Sequence, residues 1–550
     1  MKNILIIGGL LLSLGQLSAQ SISPTDTKNY IYTKNCLDAD CVKKAETVQY
    51  FDGLGRPKQT IAIKASPSQK DVVSHIEYDQ YGRQSKSFLP VPQTGTQNGA
   101  FYENALANAT NPDIYGTEKI YAEQIIENAP LTRVKKSYNV GNAWADKPVT
   151  YNYNTNTSAT EVKKFAITTT WVESRTDSQL NFPGTYYPVN SLMKTAVTDE
   201  DNNTTTEYRN GKGQTVLIRK NDGTQNVDTY YVYNEYNQLA FVIPPLAAAK
   251  TTIDETTRNS LCYQYRYDEF GRLVEKRIPG KGWEYLVYDK QDRVVLTQDA
   301  MLGTTTNTFT KKGWLFTKYD KFGRVVYTGF FASTATRSAM QTAVNNVTAN
   351  PANNEERSTT PFTLNGMNVY YTKNAFPTVS MTILSVNYYD TYPPLPADVS
   401  IPTQVLGQTV LSQDAQNAAV STKTLPTASY VKNIENDNWT KDFIWYDEKG
   451  RAIGSHSVNH LGGFTKTETL LDFAGAIQKT DTYHLRKQGE SGVTVKERFV
   501  YDSQNRMLKH FHQVDSMPEE LLTENTYNEL SELTNKKVGN NLQSIDYAYN

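Results

Sequence analysis

The sequence has few of the residues that build catalytic and metal sites. Its 550 residues include only three cysteines and six histidines. The pairs His456/His460 and His510/His512 lack the spacing of a zinc site, so we interpret them as surface residues. No HExxH helix, nucleophile elbow or complete phosphate loop is present, and no carboxylates form a distinctive pair. We therefore expect no catalytic residue, no metal ligand, no cofactor and no enzymatic activity.

An excess of charge and long apolar runs are also missing. Lys and Arg number 56 and Asp and Glu number 57, so the net charge of −1 gives no reason to expect nucleic acid as a partner. The one apolar run, residues 4–14, follows Lys2 and precedes the small residues 17–19. Because this run is too short to cross a membrane, it predicts a signal peptide, residues 1–19, cleaved near Ala19. We expect a secreted or cell-surface protein without a further transmembrane segment.

The three cysteines are interpreted in the light of this expected export, which makes disulfides possible. Cys36 and Cys41 bound a short loop, and we favour a local disulfide over two free thiols. No histidine lies near this pair, which argues against a metal site. Cys262 is then left over, and we expect it to pack as a small apolar residue.

Tyrosine is the residue type that the sequence has in excess. The chain contains 37 tyrosines, and threonine and asparagine are also frequent. Tyrosine and threonine favour strands, whereas asparagine and glycine favour tight turns. The composition therefore predicts an all-β fold.

One short phrase, aromatic-Asp-x-x-Gly-Arg, recurs along the chain. Five copies match it strictly and begin at Phe51, Tyr78, Tyr267, Tyr319 and Tyr446. Looser copies begin at Tyr208, Tyr233, Tyr288, Leu471, Tyr501 and Tyr527. Within each block the copies lie 21 to 34 residues apart, which is the range of stacked structural repeats.

Turn chemistry explains the phrase. Asp or Asn at the first corner accepts backbone hydrogen bonds, and Gly three positions later takes a positive φ that closes a hairpin with a bulge. The flanking residues alternate with period two, so each unit is interpreted as strand, tight turn, strand. A row of Tyr, Asp and Arg side chains that binds a ligand is the alternative. The residues predicted to form structural turns are Asp52, Gly55, Arg56, Asp79, Gly82, Arg83, Asp268, Gly271, Arg272, Asp320, Gly323, Arg324, Asp447, Gly450, Arg451, Asp502, Asn505 and Arg506.

The repeated phrase resembles the RHS/YD-repeat family, and most closely the N-terminal region of RHS proteins exported by Bacteroidota. Further segments that carry the resemblance are residues 29–31 with the Cys36/Cys41 loop, 130–134, 231–234 and 242–245. The resemblance implies a long antiparallel sheet of YD-repeat hairpins that curls into a shell around a variable C-terminal toxin. In that family the toxin is released by self-cleavage in a core that carries an Asp-Pro dipeptide. This sequence has no Asp-Pro, and Tyr549-Asn550 look like the start of another copy. We therefore expect an incomplete shell without its cargo.

The spacing of the copies predicts an organisation in six parts. These are the signal peptide 1–19, a first module 20–89, an insertion or plug 90–200, a repeat block 201–330, an insertion or linker 331–440 and a second repeat block 441–550, cut short. Minor helical insertions are expected, with helices predicted over residues 117–126 and 333–344.

Three functions are weighed against each other for the whole chain. The expected one is a non-catalytic shell segment that encapsulates or displays its own C-terminal cargo, with secretion machinery as a further partner. The alternative is a cell-surface repeat module that binds glycans or proteins through its tyrosines. A hydrolase is the least supported, since no catalytic triad or metal spacing occurs.

Overall fold

A computed structural model of the chain describes residues 22–95, 97–221, 225–413 and 421–549. The predicted signal peptide, residues 1–19, lies outside the described residues. Nearly all regular structure in the described ranges is β, and most of it belongs to one very long antiparallel sheet. The prediction of an all-β fold built on a long antiparallel sheet is therefore confirmed.

The strands and helices are numbered in chain order. The first strands are β1 (Asn29–Cys36), β2 (Lys44–Phe51), β3 (Pro57–Ile63), β4 (Val72–His75), β5 (Lys86–Phe88), β6 (Val91–Pro92), β7 (Tyr121–Ile126), β8 (Val134–Tyr138), β9 (Val149–Thr155), β10 (Ala166–Val172), β11 (Arg175–Asn181) and β12 (Met193–Thr198). The next are β13 (Thr204–Arg209), β14 (Thr215–Asn221), β15 (Asn226–Tyr233), β16 (Leu239–Ile243), β17 (Tyr263–Tyr267), β18 (Leu273–Ile278), β19 (Gly282–Tyr288), β20 (Val294–Gln298), β21 (Gly313–Tyr319), β22 (Val325–Ala332), β23 (Arg357–Leu364), β24 (Met367–Tyr371) and β25 (Met381–Tyr389). The last are β26 (Gln404–Val405), β27 (Gln408–Thr409), β28 (Pro426–Lys432), β29 (Trp439–Tyr446), β30 (Ala452–Val458), β31 (Gly462–Leu471), β32 (Ile477–Lys487), β33 (Val493–Tyr501), β34 (Met507–Val514), β35 (Glu520–Tyr527), β36 (Leu533–Val538) and β37 (Gln543–Asp546). The helices are α1 (Pro245–Ala248), α2 (Glu255–Leu261) and α3 (Arg337–Asn345), with short 3-10 turns at Ala107–Thr110 and Asn142–Trp144.

The long sheet takes its strands almost in the order of the chain. In the described residues it contains β5, β7–β9, β12–β22, β25 and β28–β37, and its strands pair in antiparallel ladders. A separate sheet has the order β1-β2-β3-β4-β6, and three two-stranded pairs, β10–β11, β23–β24 and β26–β27, stand outside both. Short connections keep consecutive strands adjacent, so a meander of hairpins results.

One face of the long sheet can be followed from strand to strand through residues that pair directly opposite each other. Lys318 lies opposite Tyr327, Tyr327 opposite Val386, and Val386 opposite Tyr430. Directly paired residues point to the same side of a sheet. On this face the largest core of the molecule forms, with Trp314, Phe316, Tyr327, Tyr388, Phe443 and Trp445 all buried.

Segments that leave the sheet fold back and cover this face. The ring of Tyr371 in β24 stacks on Tyr388 at 5.3 Å, and the ring of Tyr392 packs against Trp445 at 5.2 Å. Met340 of α3 belongs to the same core. A second core forms where β10–β11, α1 and α2 cover β13–β16. The segments inserted between the strands of the long sheet therefore provide the side chains that bury one of its faces.

The first predicted helix is wrong and the second is partly confirmed. Residues 121–126 of the segment 117–126 form strand β7. The spacing Tyr121/Ile125 places two side chains on one face of a helix, but residues four apart also share a face of a strand, so the pattern could not separate the two. In the segment 333–344, helix α3 starts only at Arg337, because the side chain of Thr336 accepts a hydrogen bond from the N–H of Ala339 and caps it.

The cysteines lie where the sequence predicts. Cys36 and Cys41 form a disulfide that closes the exposed end of β1, with a Cα–Cα distance of 4.7 Å. Cys262 is a free, fully buried thiol in the second core. Both predictions are confirmed.

The two ends of the described chain meet in space. The carbonyl of Ala65, after β3, accepts a hydrogen bond from Arg506 Nη1 at 2.8 Å. Ser68 donates to Glu529 at 2.7 Å, and Lys70 lies 3.5 Å from the same carboxylate. The small N-terminal sheet is therefore held against the turns of the last hairpins.

The structure distributes the predicted insertion 90–200 between two roles. Strands β7–β9 and β12 belong to the long sheet, whereas the β10–β11 hairpin covers it. The predicted boundaries at 89, 200, 330 and 440 stay predictions.

Candidate functional site

The repeated phrase forms a five-residue turn that its own aspartate holds together. In the turn 268–272, the N–H of Asp268 donates to the carbonyl of Arg272, and the N–H of Gly271 donates back to Asp268, both at 3.0 Å. The Asp268 carboxylate accepts the N–H groups of Phe270 and Arg272 at 3.0 and 2.9 Å. Its other oxygen accepts Arg272 Nε at 2.7 Å. Asp and Arg of the phrase thus close the turn from both sides.

The same hydrogen bonds change the acidity of the half-buried aspartates Asp52 and Asp79. The backbone N–H of Arg56 lowers the pKa of Asp52, and the backbone N–H of Arg83 does the same for Asp79. Both carboxylates are therefore held in their charged form, which is the form that accepts these bonds.

The fourth position of the turn has left-handed backbone geometry. The glycines of the five strict copies have φ between 75° and 78°, at Gly55, Gly82, Gly271, Gly323 and Gly450. In looser copies the same position holds Asn237, Asp292, Asn505 and Ser531, with φ between 59° and 68°. This geometry selects glycine, asparagine and aspartate.

A β-bulge follows the turns of the phrase, except the turn 79–83, whose flanking residues form no ladder. After the turn 268–272, Tyr267 pairs with Leu273 and Arg266 pairs with Glu275, so Val274 is the extra residue. The equivalent extra residues Val216, Ala240, Val295, Val326 and Ile453 are also buried. Because a bulge bends its strand and increases twist, repeated bulges at one position curve the sheet in one direction.

In most units the tyrosine of the phrase binds a carbonyl beside the preceding turn. The hydroxyl of Tyr288 donates to the carbonyl of Leu273 at 2.7 Å, and Arg272 stacks over the Tyr288 ring at 4.7 Å. Tyr319 repeats this arrangement with Val294 and Arg293, at 2.8 and 4.8 Å. Further hydroxyls that reach the carbonyl next to the preceding turn belong to Tyr78, Tyr153, Tyr267, Tyr446, Tyr501 and Tyr527. Tyr and Arg of the phrase therefore join neighbouring hairpins.

Arginine also links one turn to the next. Arg272 Nη1 donates to Asp292 at 2.6 Å, and Arg293 Nη1 donates to the carbonyl of Asp320 at 3.2 Å. Arg324 forms a bidentate pair with Asp390 at 3.1 and 2.7 Å. We call this row of linked turns, at 52–56, 79–83, 210–214, 234–238, 268–272, 289–293, 320–324, 447–451, 472–476, 502–506 and 528–532, the turn rim.

Two turns with the same geometry were not recognised in the sequence. Asp199 accepts the N–H groups of Asp201 and Asn203, and Asn459 accepts those of Leu461 and Gly463. Neither has the preceding tyrosine or the following arginine. Both turns lie at the edge of the sheet opposite the rim, since they join β12 to β13 and β30 to β31. An Asp or Asn followed three residues later by Asn or Gly was the available signal.

Aromatic side chains project from the tips of the turn rim. Phe270 and Phe322 each occupy the position before the glycine of their turn, and they are 74% and 67% exposed. Tyr81 is also exposed, and Arg83 lies 4.9 Å from the centre of its ring. Exposed rings of this kind offer faces on which a planar ligand can stack.

The glycine-rich stretch 211–213 and the histidine pair 510/512 have local roles. Gly211 and Gly213 lie in the turn 210–214, and Lys212 donates to Asn237 at 2.6 Å. The Nε2 atoms of His510 and His512 lie 2.9 and 3.3 Å from Glu497 and Glu520. Within the described ranges, no three His, Cys, Asp or Glu side chains group as metal ligands would.

The long sheet differs along its length in what lies on the face traced above. We call residues 204–458 the filled stretch and residues 462–546 the open stretch. Among the described residues, no hydrophobic side chain after Ile453 is buried. In the open stretch the same face carries ion pairs instead: Lys479 lies 2.7 Å from Asp481, and Lys509 lies 2.9 Å from Glu524. Leu471 still packs against the largest core, beside Gln408 of β27. Beyond it, no described segment of the chain covers the sheet with a hydrophobic core.

A family model described as a domain of unknown function, DUF6443, matches residues 23–157. This segment contains the small N-terminal sheet and strands β5 and β7–β9 of the long sheet. No curated protein matches the chain. No helix among the described residues has the length and apolarity needed to cross a membrane.

Solved structures share the fold. The chain superposes on TcdB2-TccC3 without its hypervariable C-terminal region with a TM-score of 0.57, and on TcdB2-TccC3-Cdc42 with a TM-score of 0.58. It superposes on a Photorhabdus luminescens Tc holotoxin pore carrying a TccC3 mutation with a TM-score of 0.55. In all three, identity is 11% and the match covers 95% of this chain. The chain spans 21% of the length of these proteins, so the likeness shows the fold of a segment.

Proposed function

We propose that this chain is a segment of an RHS/YD-repeat shell whose wall encapsulates or displays a C-terminal cargo. The turn rim supports the repeat assignment, because Tyr, Asp, Gly and Arg of the phrase each make a contact that recurs from unit to unit. The solved neighbours with the same fold include one described as lacking a hypervariable C-terminal region. A Bacteroidota-type relative remains part of this proposal, on the sequence resemblance alone.

The uncovered face of the open stretch carries the proposal. The face is continuous with that of the filled stretch, where described segments of the same chain bury it. A bulge after each turn curves the sheet, so a long array of such units tends to enclose space. A wall with one covered and one uncovered region is suited to hold a further polypeptide.

The proposed wall is not catalytic. The charged residues of the rim are engaged in hydrogen bonds within and between turns, as for Asp268, Arg272 and Asp292. Residues that hold a repeated backbone geometry in many copies suit a scaffold, whereas a catalytic site needs one distinct constellation.

Secretion or display at the cell surface is part of the proposal. The disulfide Cys36–Cys41 is favoured by an oxidising environment, and the N-terminal residues have the layout of a signal peptide. The partner in this scheme is the cargo of the same polypeptide, with secretion machinery as a second.

A protease-protection experiment tests encapsulation. An unstructured reporter peptide with one protease site is fused directly after Asn550, and its cleavage rate is compared with that of the free peptide. We expect slower cleavage in the fusion, because the uncovered wall shields the peptide. The matched control carries Asp472→Ala and Asp502→Ala, which weaken the rim of the open stretch, and should restore fast cleavage. Equal rates in the unaltered fusion and the free peptide would contradict encapsulation.

A surface module that binds cell-surface glycans or proteins is the second candidate function. The exposed rings of Tyr81, Phe270 and Phe322 favour it, since aromatic faces stack on sugars. A glycan array probed with the unaltered protein and with the triple alanine variant at these rings tests it. Binding that disappears in the variant would support this function, and an array without hits would remove the glycan form of it.

A further inference from the structure

A cavity of about 300 Å³ lies where the β10–β11 hairpin meets the long sheet and helix α3. Its lining includes Arg175 from the hairpin, Arg266 and Glu275 from the sheet, and Arg337 from the first turn of α3. Lys312 stands at the same cavity and is exposed. Four cationic side chains therefore surround one space.

The carboxylates at this place are too few for the cations around them. Glu275 is 4% exposed and is shared by three guanidinium groups: Arg175 Nε at 2.8 Å, Arg266 Nη1 at 2.9 Å and Arg337 Nε at 3.2 Å. Asp177 pairs with Arg266 at 2.9 Å. Glu173 is the other acid of the lining. Together with Lys312, the cluster retains an excess of positive charge in a partly buried space, where charges are costly unless they are paired.

Two nitrogens of Arg175 are buried and make no hydrogen bond. Nη1 lies 3.6 Å from its nearest carboxylate oxygen, on Asp177, and Nε is only ion-paired with Glu275, 2.8 Å away at an angle unsuited to a hydrogen bond. A buried donor without a partner costs free energy, so its presence beside a cavity calls for an acceptor there. Helix α3 adds to this, because its N-terminus faces the cavity with no acidic residue in its first turn. The cavity is therefore complementary to an anion.

We propose that this cavity is a binding site for a small anion that carries a carboxylate or phosphate group. The oxygens of the ligand accept the free N–H of Arg175, and Lys312 attracts them at the mouth of the cavity. Arg266 and Arg337 remain paired with Glu275, and the Glu275 carboxylate holds the guanidinium group of Arg175 in place. The site lies in the filled stretch and does not depend on the shell function.

The experiment measures thermal stability of the full chain in inorganic phosphate and in citrate, at about 10 mM, against chloride at the same ionic strength. Phosphate and citrate separate the two ligand groups. We expect at least one of them to raise the midpoint temperature, and Lys312→Gln to weaken this binding about threefold without loss of the fold. Arg175→Gln should weaken it about tenfold, since a charge-assisted bond is removed. The control is Arg486→Gln, an exposed arginine paired with Glu490.

Glu275→Gln provides an opposite test. It removes the carboxylate that competes with the ligand for the three arginines, so anion affinity should rise about tenfold or more. This variant should be destabilised in chloride and restored by the anion. A structural ion-pair cluster would not behave in this way. The proposal is overturned if neither anion shifts the midpoint of the unaltered protein beyond chloride, or if Arg175→Gln, Lys312→Gln and Arg486→Gln respond equally.

Discussion

The filled and open stretches have the same turns and the same antiparallel pairing, yet only the filled stretch buries hydrophobic side chains on the traced face. Asp447 and Asp502 hold their turns with the same set of hydrogen bonds, at 2.9–3.0 Å to the backbone. The residue before the rim tyrosine is Trp445 in the filled stretch and Val500 in the open stretch. Trp445 is buried in the core, whereas Val500 is not. The geometry of the sheet is therefore independent of what covers it.

The ion pairs of the two stretches also differ in burial. Lys318 and Glu355 form a fully buried pair in the filled stretch, 2.9 Å apart. Lys509 and Glu524 are as close but 41% and 36% exposed. An exposed ion pair contributes little to the free energy of unfolding. Removing one partner of a buried pair is costly, because the other charge is left unpaired and away from water. We infer that the turn rim specifies the sheet and that the covering segments supply most of its stability.

Truncating a large side chain at one position of both stretches gives the sharpest contrast. Trp445→Ala should lower the free energy of unfolding by about 4 kcal/mol, because it opens a cavity in the largest core. Val500→Ala should cost less than about 1 kcal/mol. Hydrogen exchange of amides in β29 and β33 measures each effect locally, since so long a sheet need not unfold in one step. Equal losses at the two positions would contradict the comparison.

The buried ion pair gives the next largest effect. Lys318→Met should cost about 3 kcal/mol, because the Glu355 carboxylate stays buried without its cation. Adding Glu355→Gln removes that charge and keeps an acceptor for Tyr327 and Ala375. Its amide nitrogen then faces the N–H of Asn374, which the second carboxylate oxygen accepts in the unaltered protein, so the variant should recover only part of the loss. The control Lys509→Met should cost less than about 1 kcal/mol. Urea unfolding measures all four proteins, and a double variant no better than Lys318→Met would refute a charge effect.

Alkaline pH should weaken the filled stretch. Burial raises the pKa of Tyr388 and of Tyr446 to about 12. Because unfolded tyrosines ionise near pH 10, the unfolded chain loses protons first, so stability is fully present below pH 10 and is lost from there towards pH 12. Each such tyrosine accounts for about 2 kcal/mol.

Circular dichroism and tyrosinate absorbance, recorded against pH, check this expectation. The variant Tyr388→Phe should show a shallower loss of stability between pH 10 and 12, because one titrating group is gone. Ionisation of all tyrosines near pH 10 with an unchanged dichroism spectrum would contradict the burial of these rings.

Features formed by residues close together in the sequence could be predicted, whereas contacts between residues far apart could not. The turn 268–272 is closed by residues at most four apart, so Asp268, Gly271 and Arg272 could be recognised directly. The bond from the Tyr288 hydroxyl to Leu273 and the pairing of Ala65 with Arg506 join distant residues. Nothing in a single sequence marks such partners, because they depend on the curvature of the sheet.

The covered and uncovered regions could not be separated beforehand for a related reason. The buried pair Lys318/Glu355 and the exposed pair Lys509/Glu524 are the same residue types in similar strands. Whether each is buried depends on the insertion 331–440, which carries no repeated phrase. The cavity at Arg175 was missed likewise, since its cations come from the hairpin, the sheet and α3.

Substitutions at the left-handed turn position should have small effects in both stretches. Gly271→Ala should cost about 1 kcal/mol, because φ is 78° and an added Cβ is strained there. Asn505→Gly should be neutral or stabilising by about 0.5 kcal/mol, since it relieves φ of 59° and removes an amide oxygen that is buried without a hydrogen bond. Gly211→Ala is the matched control, because Gly211 lies in a rim turn without a positive φ and with open space around it. Thermal midpoints measure all three. If Gly271→Ala and Gly211→Ala behave alike, the left-handed position does not select the residues of the phrase, and the rim would have to be specified by Asp268 and Arg272 alone.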